Sequence, residues 1–446
     1  MKVHGISAIA IVAAAGSLLA ACGPSTVVNG ANPAAPHAGV VLSFQTDAVI
    51  ARDQTRLSQK PDDWKTIDEL AAAYLQKVRE VGDPSYYGKA GALLQRALAH
   101  DPADPEATIS MGLLALARHQ FLAGLEWGIK AKTLSPGESR PLGIIGDAQV
   151  ELGRYPEAVN SFQQMVHLRP DLSSYARVSY ARELYGDVDG AIAAMEQAVE
   201  AGGPVAENSA YTRVLLANLY FNSNRLDEAE SQDRRALFDD PKYPYALAGL
   251  AKIGAARGDY SSAVRLFRQA VDIYPLPDFV IGLADVYAVS GQSRQAKETY
   301  DLAAAEQQLY QASGVDLDAE LALFDADHQR DLSAALSAAR RAMADRPSVR
   351  SADILAWTLY QVGDDRAALA ASTQAMRLGT QDSAMFFHRG MIEARLGQGR
   401  AAIADLHHAL SINPYFSLVW APVARQTLAA LSSPSPVYGG GQRGGL

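Results

Sequence analysis

The residue with the most distinctive chemistry in this chain is Cys22, the single cysteine among 446 residues. Lys2 places a positive charge near the N-terminus, and residues 5–19 then form an uncharged apolar run. This run is shorter than the ~20 residues that a membrane-spanning helix needs. Two small residues, Ala20 and Ala21, stand directly before the cysteine. The layout is typical of a secretory signal peptide, so the sequence predicts an exported protein.

The remaining residues offer little chemistry for catalysis. The sequence contains no Walker-type phosphate loop, no His-Glu-x-x-His and no Gly-x-Ser-x-Gly. Its densest set of metal-ligand residue types is Asp325, Asp327, His328 and Asp331, which could hold a divalent ion. These residues fall at a turn between two predicted helices, where Asp commonly caps a helix N-terminus. We therefore expect no catalytic residue, no metal site, no cofactor and no enzyme activity.

Composition and charge narrow the class of partner. The formal net charge is -9 and no run of Lys or Arg stands out, whereas a nucleic-acid surface needs a basic stripe. Hydrophobic residues make up 48% of the chain and charged residues 20%, so most of it can fold. Alanine is abundant, which favours helices and lets them approach closely.

The helices that would position any site recur with a period of about 34 residues. Each unit carries a small residue, followed seven positions later by alanine in every unit except the third, which has Met165. Proline closes many units, and a glycine often separates the two helices of a unit. The small residues are Ala90, Gly124, Ala158, Ala191, Ala229, Ala263, Ala296, Ala335, Ala368 and Ala402.

This pattern resembles the tetratricopeptide repeat. The resemblance implies an all-α fold, an open right-handed superhelical solenoid of about ten helix-turn-helix units over residues 64–415. A final helix over residues 416–431, with Pro422 near its first turn, is expected to cap the last unit. The eighth unit departs from the pattern because it lacks the glycine.

A second resemblance concerns the N-terminus, where Leu19-Ala20-Ala21-Cys22 is similar to the lipobox of bacterial lipoproteins. That resemblance implies that the Cys22 thiol is lipidated and that acyl chains hold the protein at the cell membrane or the outer membrane, facing the periplasm or the cell surface. The alternative is an ordinary signal peptide that leaves a free thiol. The predicted segments are a signal peptide (1–21), a lipidated N-terminus and tether (22–63), the repeats (64–415), the capping helix (416–431) and a disordered Gly/Pro/Ser-rich tail (432–446).

Function is expected on the concave wall, where side chains are not needed for packing between repeats. Aromatic and Arg side chains are common anchors of protein interfaces. The candidate partner-binding residues are Arg140, Asp147, Tyr211, Asn218, Phe221, Tyr245, Lys252, Asp278, Asp285, Phe387 and Met391. We expect a non-catalytic, membrane-anchored scaffold that binds envelope or secreted proteins and no nucleic acid. The alternative is a binding module for a cell-wall glycan or another non-protein ligand; the sugar rings of a glycan would stack on Tyr211, Phe221 and Tyr245.

Overall fold

The computed structural model describes residues 43–202 and 206–433. The predicted signal peptide, Cys22 and residues 434–446 of the predicted tail lie outside this part of the chain. Within it, none of the helices is long and apolar enough to cross a bilayer. The described residues form twenty-two α-helices and no strand. In chain order the helices are α1 Ser43–Gln59, α2 Trp64–Val81, α3 Ser85–His100, α4 Pro105–Ala117, α5 Phe121–Leu134, α6 Arg140–Glu151, α7 Tyr155–Leu168, α8 Leu172–Leu184, α9 Val188–Ala201, α10 Ala206–Asn222, α11 Leu226–Asp239, α12 Pro244–Ala256, α13 Tyr260–Ile273, α14 Pro277–Val289, α15 Ser293–Ala312, α16 Asp318–Asp327, α17 Leu332–Asp345, α18 Val349–Val362, α19 Asp365–Ala375, α20 Ser383–Arg395, α21 Gly399–Ile412 and α22 Trp420–Ser432.

Helices α2 to α21 pair in sequence order into ten hairpins, which confirms the predicted helical repeat solenoid. The small residues lie where the helices meet, and Ala90, Ala263 and Ala402 have no exposed surface. At Gly124, a Cβ atom would lie 2.7 Å from a methyl carbon of Leu116. A larger side chain at these positions would force the helices apart, which typically costs about 1–3 kcal/mol.

Each hairpin turns through one residue with a left-handed backbone. Seven units use glycine, and three use another residue: His119 (φ 58°), Asn224 (φ 60°) and Gln329 (φ 46°). Gln329 belongs to the eighth unit, where the sequence lacks the turn glycine. The turn geometry is therefore kept there, although this conformation costs an L-residue roughly 1–2 kcal/mol.

Both ends of the stack are covered by an extra helix. The tether prediction for residues 22–63 is corrected over residues 43–59, which form α1, because Ile50 packs against Leu70 and Tyr74 of α2. At the other end, the predicted capping helix is α22, which begins at Trp420. Ser417 Oγ accepts a hydrogen bond from the Trp420 amide at 2.8 Å and so fixes the start of this helix.

The superhelix does not stay open, because residues at or next to each hairpin turn of units one to five contact residues about one superhelical turn later in the chain. We call this line of contacts the seam. Four of its contacts join residues 192–198 positions apart, which corresponds to fewer than six units per turn. The seam contacts are Tyr310 Oη to Gly82 O (3.0 Å), Asp316 N to Arg118 O (2.9 Å), Val349 N to Tyr155 Oη (2.6 Å), Thr380 Oγ1 to Leu184 O (2.5 Å) and Asn413 Nδ2 to Phe221 O (3.0 Å).

Candidate functional site: a polar cavity at the seam

Several of the predicted groove residues have partners in neighbouring repeats. Asp147 is bound by Arg177, whose Nη2 lies 2.6 Å from Oδ2 and whose Nε lies 2.9 Å from Oδ1. Burial raises the pKa of Asp147, and the guanidinium charge of Arg177 opposes that shift. Arg140 makes a two-pronged ion pair with Glu106, with N–O distances of 2.7 and 3.0 Å. Arg140 and Asp147, two of the predicted groove residues, are therefore both used in ion pairs between neighbouring repeats.

The predicted groove aromatics form part of a packed cluster. Tyr211 is only 5% exposed, and its ring meets the edge of Tyr245 at 6.1 Å between centroids. Tyr245 also meets Tyr274 at 5.9 Å and Phe279 at 5.1 Å. Phe221 is half-buried against the same hydrophobic core. These rings pack against one another and against the core, so the glycan alternative gains no support from this cluster.

The other predicted groove residues divide between core and partly open surface. Phe387 has no exposed surface and Asp285 is 3% exposed, where Tyr300 Oη donates to Asp285 Oδ1 at 2.5 Å. The open-groove placement is corrected for Asp285, Asp147 and Tyr211, which are buried, whereas the buried Phe387 lines a cavity at the seam. Asn218, Lys252, Asp278 and Met391 are half-buried.

The acidic segment that sequence analysis weighed as a metal site has structural roles. Asp331 Oδ1 accepts a hydrogen bond from the Ala334 amide at 3.0 Å, which confirms the expected helix cap. Asp327 Oδ1 accepts hydrogen bonds from two indoles, Trp357 Nε1 at 2.7 Å and Trp420 Nε1 at 3.1 Å. In the part of the chain that the structure describes, no group of three or more His, Cys, Asp and Glu is placed to hold a metal ion.

A cavity of about 120 Å³ opens at the seam, between units four and five on one side and units eight to ten with the capping helix on the other. Helix α8 contributes Tyr180 and Glu183 from the first superhelical turn. The second turn contributes Asp353 from α18 and Asp382 from the cap of α20. The site therefore exists only because two turns of the superhelix meet.

Burial perturbs the acids of this cavity. It raises the pKa of Asp327 to about 7, against the opposing effects of nearby histidines and the two indole hydrogen bonds. Burial and the charge of Asp382 raise the pKa of Glu183 to about 7. The pKa of Asp382 is also raised by burial, although its carboxylate accepts hydrogen bonds from the amides of Ala384 and Met385.

Two basic side chains face these acids. His388 Nδ1 lies 3.0 Å from Asp353 Oδ2. Burial alone would lower the pKa of His388, but the neighbouring carboxylates, Asp353 foremost, raise it. Arg350 also lines the cavity, and its Nη2 has no hydrogen-bond partner among the described residues.

Sequence reasoning missed most of this site. Arg350 lies 18 residues before Ala368, the same offset that separates Arg140 from Ala158 and Tyr245 from Ala263. The periodicity used for the other candidates could therefore have identified Arg350. No comparable signal pointed to Glu183, because its neighbours in the cavity come from the next superhelical turn.

Comparison with known proteins finds similarity to other repeat proteins. Residues 145–207 and 214–276, which fall in the third to sixth units, match the family model described as Tetratricopeptide repeat. No curated protein sequence matches the chain. Among solved structures, the APC/C hetero-tetramer Cut9-Hcn1 is 14% identical with a TM-score of 0.34, over 88% of this chain and 94% of that one.

Two shorter repeat proteins are also similar. TTC0263, a thermophilic tetratricopeptide-repeat protein of Thermus thermophilus, is 26% identical with a TM-score of 0.35, over 39% of this chain and 91% of that one. YrrB, described as a tetratricopeptide-repeat protein with an unusual peptide-binding site, is 20% identical with a TM-score of 0.28, over 41% of this chain and 92% of that one.

Proposed function

We propose that this chain of tetratricopeptide repeats is a non-catalytic scaffold of the bacterial cell envelope, anchored by a lipid on Cys22. It holds a segment of a partner protein in the cavity at the seam. Domains of this repeat type generally mediate protein–protein interactions. The observation that carries the proposal is the cavity itself, which combines apolar walls, charged groups and buried polar atoms that have no partner among the described residues.

The arrangement of the cavity favours binding over catalysis. The pair formed by His388 Nδ1 and Asp353 is the orientation that a Ser-His-Asp triad requires of its base. A triad also needs a serine hydroxyl hydrogen-bonded to the histidine ring. Ser383 Oγ lies in the same cavity lining but makes no hydrogen bond within the described residues. The histidine ring is instead stacked on Trp357, with 4.3 Å between centroids.

Site-specific photo-crosslinking tests the location of the partner. A photoreactive amino acid at Gln381, a half-buried residue of the cavity lining, is expected to capture a defined protein in intact cells. Ala384→Trp fills the cavity from α20 and should abolish that crosslink. The matched control Ala193→Trp lies at an exposed position of α9 and should leave it intact. Equal capture by both variants would contradict the proposed site.

The lipid anchor is tested separately. Wild-type protein expressed with labelled palmitate should carry the label and sediment with membranes, because two acyl chains suffice for stable anchoring. Cys22→Ala should lose the label and leave the membrane fraction. An unlabelled wild-type protein with a free thiol would instead support the ordinary signal-peptide alternative.

A further inference from the structure

The cavity at the seam has more acidic than basic groups. Its acidic and basic side chains are Glu183, Asp327, Asp353, Asp382, Arg350 and His388. His388 is paired with Asp353. The charge of Arg350 is shared with carboxylates elsewhere in the superhelix, since it also acts on Glu151, Asp278 and Glu320. His388 also acts on Asp382, whereas the groups among the described residues that shift the pKa of Glu183 include no cation.

A buried hydroxyl beside these acids also lacks a partner. Ser383 is 5% exposed, lines the cavity, and its Oγ makes no hydrogen bond to any described residue. A buried polar atom without a partner costs about 1–3 kcal/mol. A ligand with a hydrogen-bond donor would satisfy this oxygen and the adjacent carboxylate of Asp382 together.

The rest of the cavity wall is apolar. Leu323, Ile354, Met385, Phe416 and Trp420 contribute to the lining. Such a wall accommodates a chain of methylene groups, and burying each one contributes about 0.8 kcal/mol. An aromatic face also attracts a cation that approaches it. The cavity thus matches a flexible apolar stem that ends in a positive charge.

We infer that the cavity binds a lysine side chain of the partner segment, with the ammonium group between Glu183, Asp382 and Ser383. The inference rests on the proposed scaffold function and specifies the chemistry of its partner. An ammonium group offers three donors and no acceptor, which suits two carboxylates and a hydroxyl oxygen. Lysine fits better than arginine because a compact point charge needs no planar, two-pronged site.

Calorimetric titration of the purified full-length protein in detergent tests this chemistry with small probes. n-Pentylamine reproduces the lysine stem and ammonium, n-pentanol the stem alone, and pentanoate the stem with the opposite charge. We expect saturable binding of pentylamine only. Saturable binding of pentanoate, which would direct attention to Arg350, or of pentanol with equal affinity, would overturn the inference.

Two variants locate the binding. Glu183→Gln combined with Asp382→Asn removes both charges, and asparagine can still cap α20. The affinity for pentylamine should fall at least tenfold. Glu200→Gln removes the same type of charge from an exposed position of α9 and should leave the affinity unchanged. The thermal unfolding of the double variant shows whether it is folded. An unchanged affinity for pentylamine in the folded double variant would contradict the assignment.

A peptide arm separates a partner side chain from a free amine. An acetylated, amidated pentapeptide with a central lysine should bind at least as tightly as pentylamine, and its norleucine analogue should not bind. Binding of pentylamine without the lysine peptide would assign the site to a free amine and overturn the inference. If Ala384→Trp abolishes crosslinking whereas the charge-removing variant does not, the scaffold function stands and the lysine inference fails. If the photoreactive residue at Gln381 captures no defined protein in an otherwise wild-type chain, the scaffold proposal is refuted.

Discussion

The hairpin turns of the first superhelical turn and those of the second have the same local structure but different surroundings. Gly153 in unit three and Gly363 in unit nine both have a left-handed backbone, with φ of 70° and 88°. A Cβ atom on Gly153 would lie 2.5 Å from the carbonyl oxygen of Pro347, across the seam. A Cβ atom on Gly363 would meet nothing within 4 Å. The same repeat signal therefore serves backbone conformation alone in one region and also permits contact between turns in the other.

The largest expected effect comes from substituting these two glycines. Gly363→Ala should cost about 1–2 kcal/mol, the penalty for an L-residue in the left-handed region. Gly153→Ala bears the same penalty and adds a clash with a backbone carbonyl, so its total cost should reach about 2–5 kcal/mol. Urea unfolding followed by circular dichroism measures both values. Equal losses for the two variants would show that the seam does not form.

A smaller effect is expected at a pair of equivalent tyrosines. Tyr155 and Tyr260 each lie three residues before the small residue of their unit, Ala158 and Ala263. Only Tyr155 reaches the seam, where its Oη accepts a hydrogen bond from the buried Val349 amide at 2.6 Å. Tyr155→Phe should cost about 1–3 kcal/mol, because it leaves that amide without a partner.

Tyr260→Phe provides the matched control, since Tyr260 is 36% exposed. Its stability should stay within about 0.5 kcal/mol of wild type. Hydrogen exchange adds a local readout, because the Val349 amide should lose protection in Tyr155→Phe alone. Retained protection at Val349 would contradict the hydrogen bond across the seam.

The smallest expected effect is a pH dependence at the seam. Glu183 on the first turn has a pKa of about 7, raised by burial and by Asp382 on the second turn. Its folded pKa exceeds its unfolded value, so the folded state binds more protons and stability falls as pH rises toward and through 7. When the pH rises from 6 to 8, the ionisation of Glu183 should lower the free energy of unfolding by about 1 kcal/mol. Glu183→Gln should remove this contribution.

Other groups contribute to the wild-type profile over the same window. Asp68, Asp327 and Glu393 have pKa values of about 7, and the pKa of His388 is raised, so all four act in the same direction. Burial lowers the pKa of His119, which acts in the opposite direction. The decisive comparison is therefore the difference in melting temperature between pH 6 and pH 8 for wild type and Glu183→Gln. Equal differences in melting temperature would show that Glu183 does not contribute to the pH dependence of stability.

Sequence predicted the parts of this fold that depend on neighbouring units. The ten hairpins, the cap at Asp331 and the capping helix follow from patterns within about 40 residues. The sequence does not predict α1: residues 43–59 fall within the expected tether, whereas Ile50 packs on α2. These errors and successes concern contacts whose residues lie close together in sequence.

Closure of the superhelix was not predictable in the same way. It depends on the small rotation from each unit to the next, added over nearly six units, until Val349 meets Tyr155. No single repeat encodes this sum, and the repeat pattern alone predicts an open groove. The placement of Glu183 opposite Asp382 follows from the closure, whereas Tyr211 and Phe387 are buried by neighbouring units and the capping helix.

The most direct test of the stacked turns is the distance between spin labels on either side of the seam. Glu157 in unit three and Asp345 in unit eight are exposed and lie close in sequence to Gly153 and Pro347, respectively. Cysteines at these two positions, in a Cys22→Ala background, can be labelled and measured by pulsed electron resonance. The closed superhelix predicts one narrow distribution at short distance, which Gly153→Ala broadens and Gly363→Ala leaves unchanged. A broad distribution at long distance in the wild-type background would contradict the closed superhelix and the cavity that it creates.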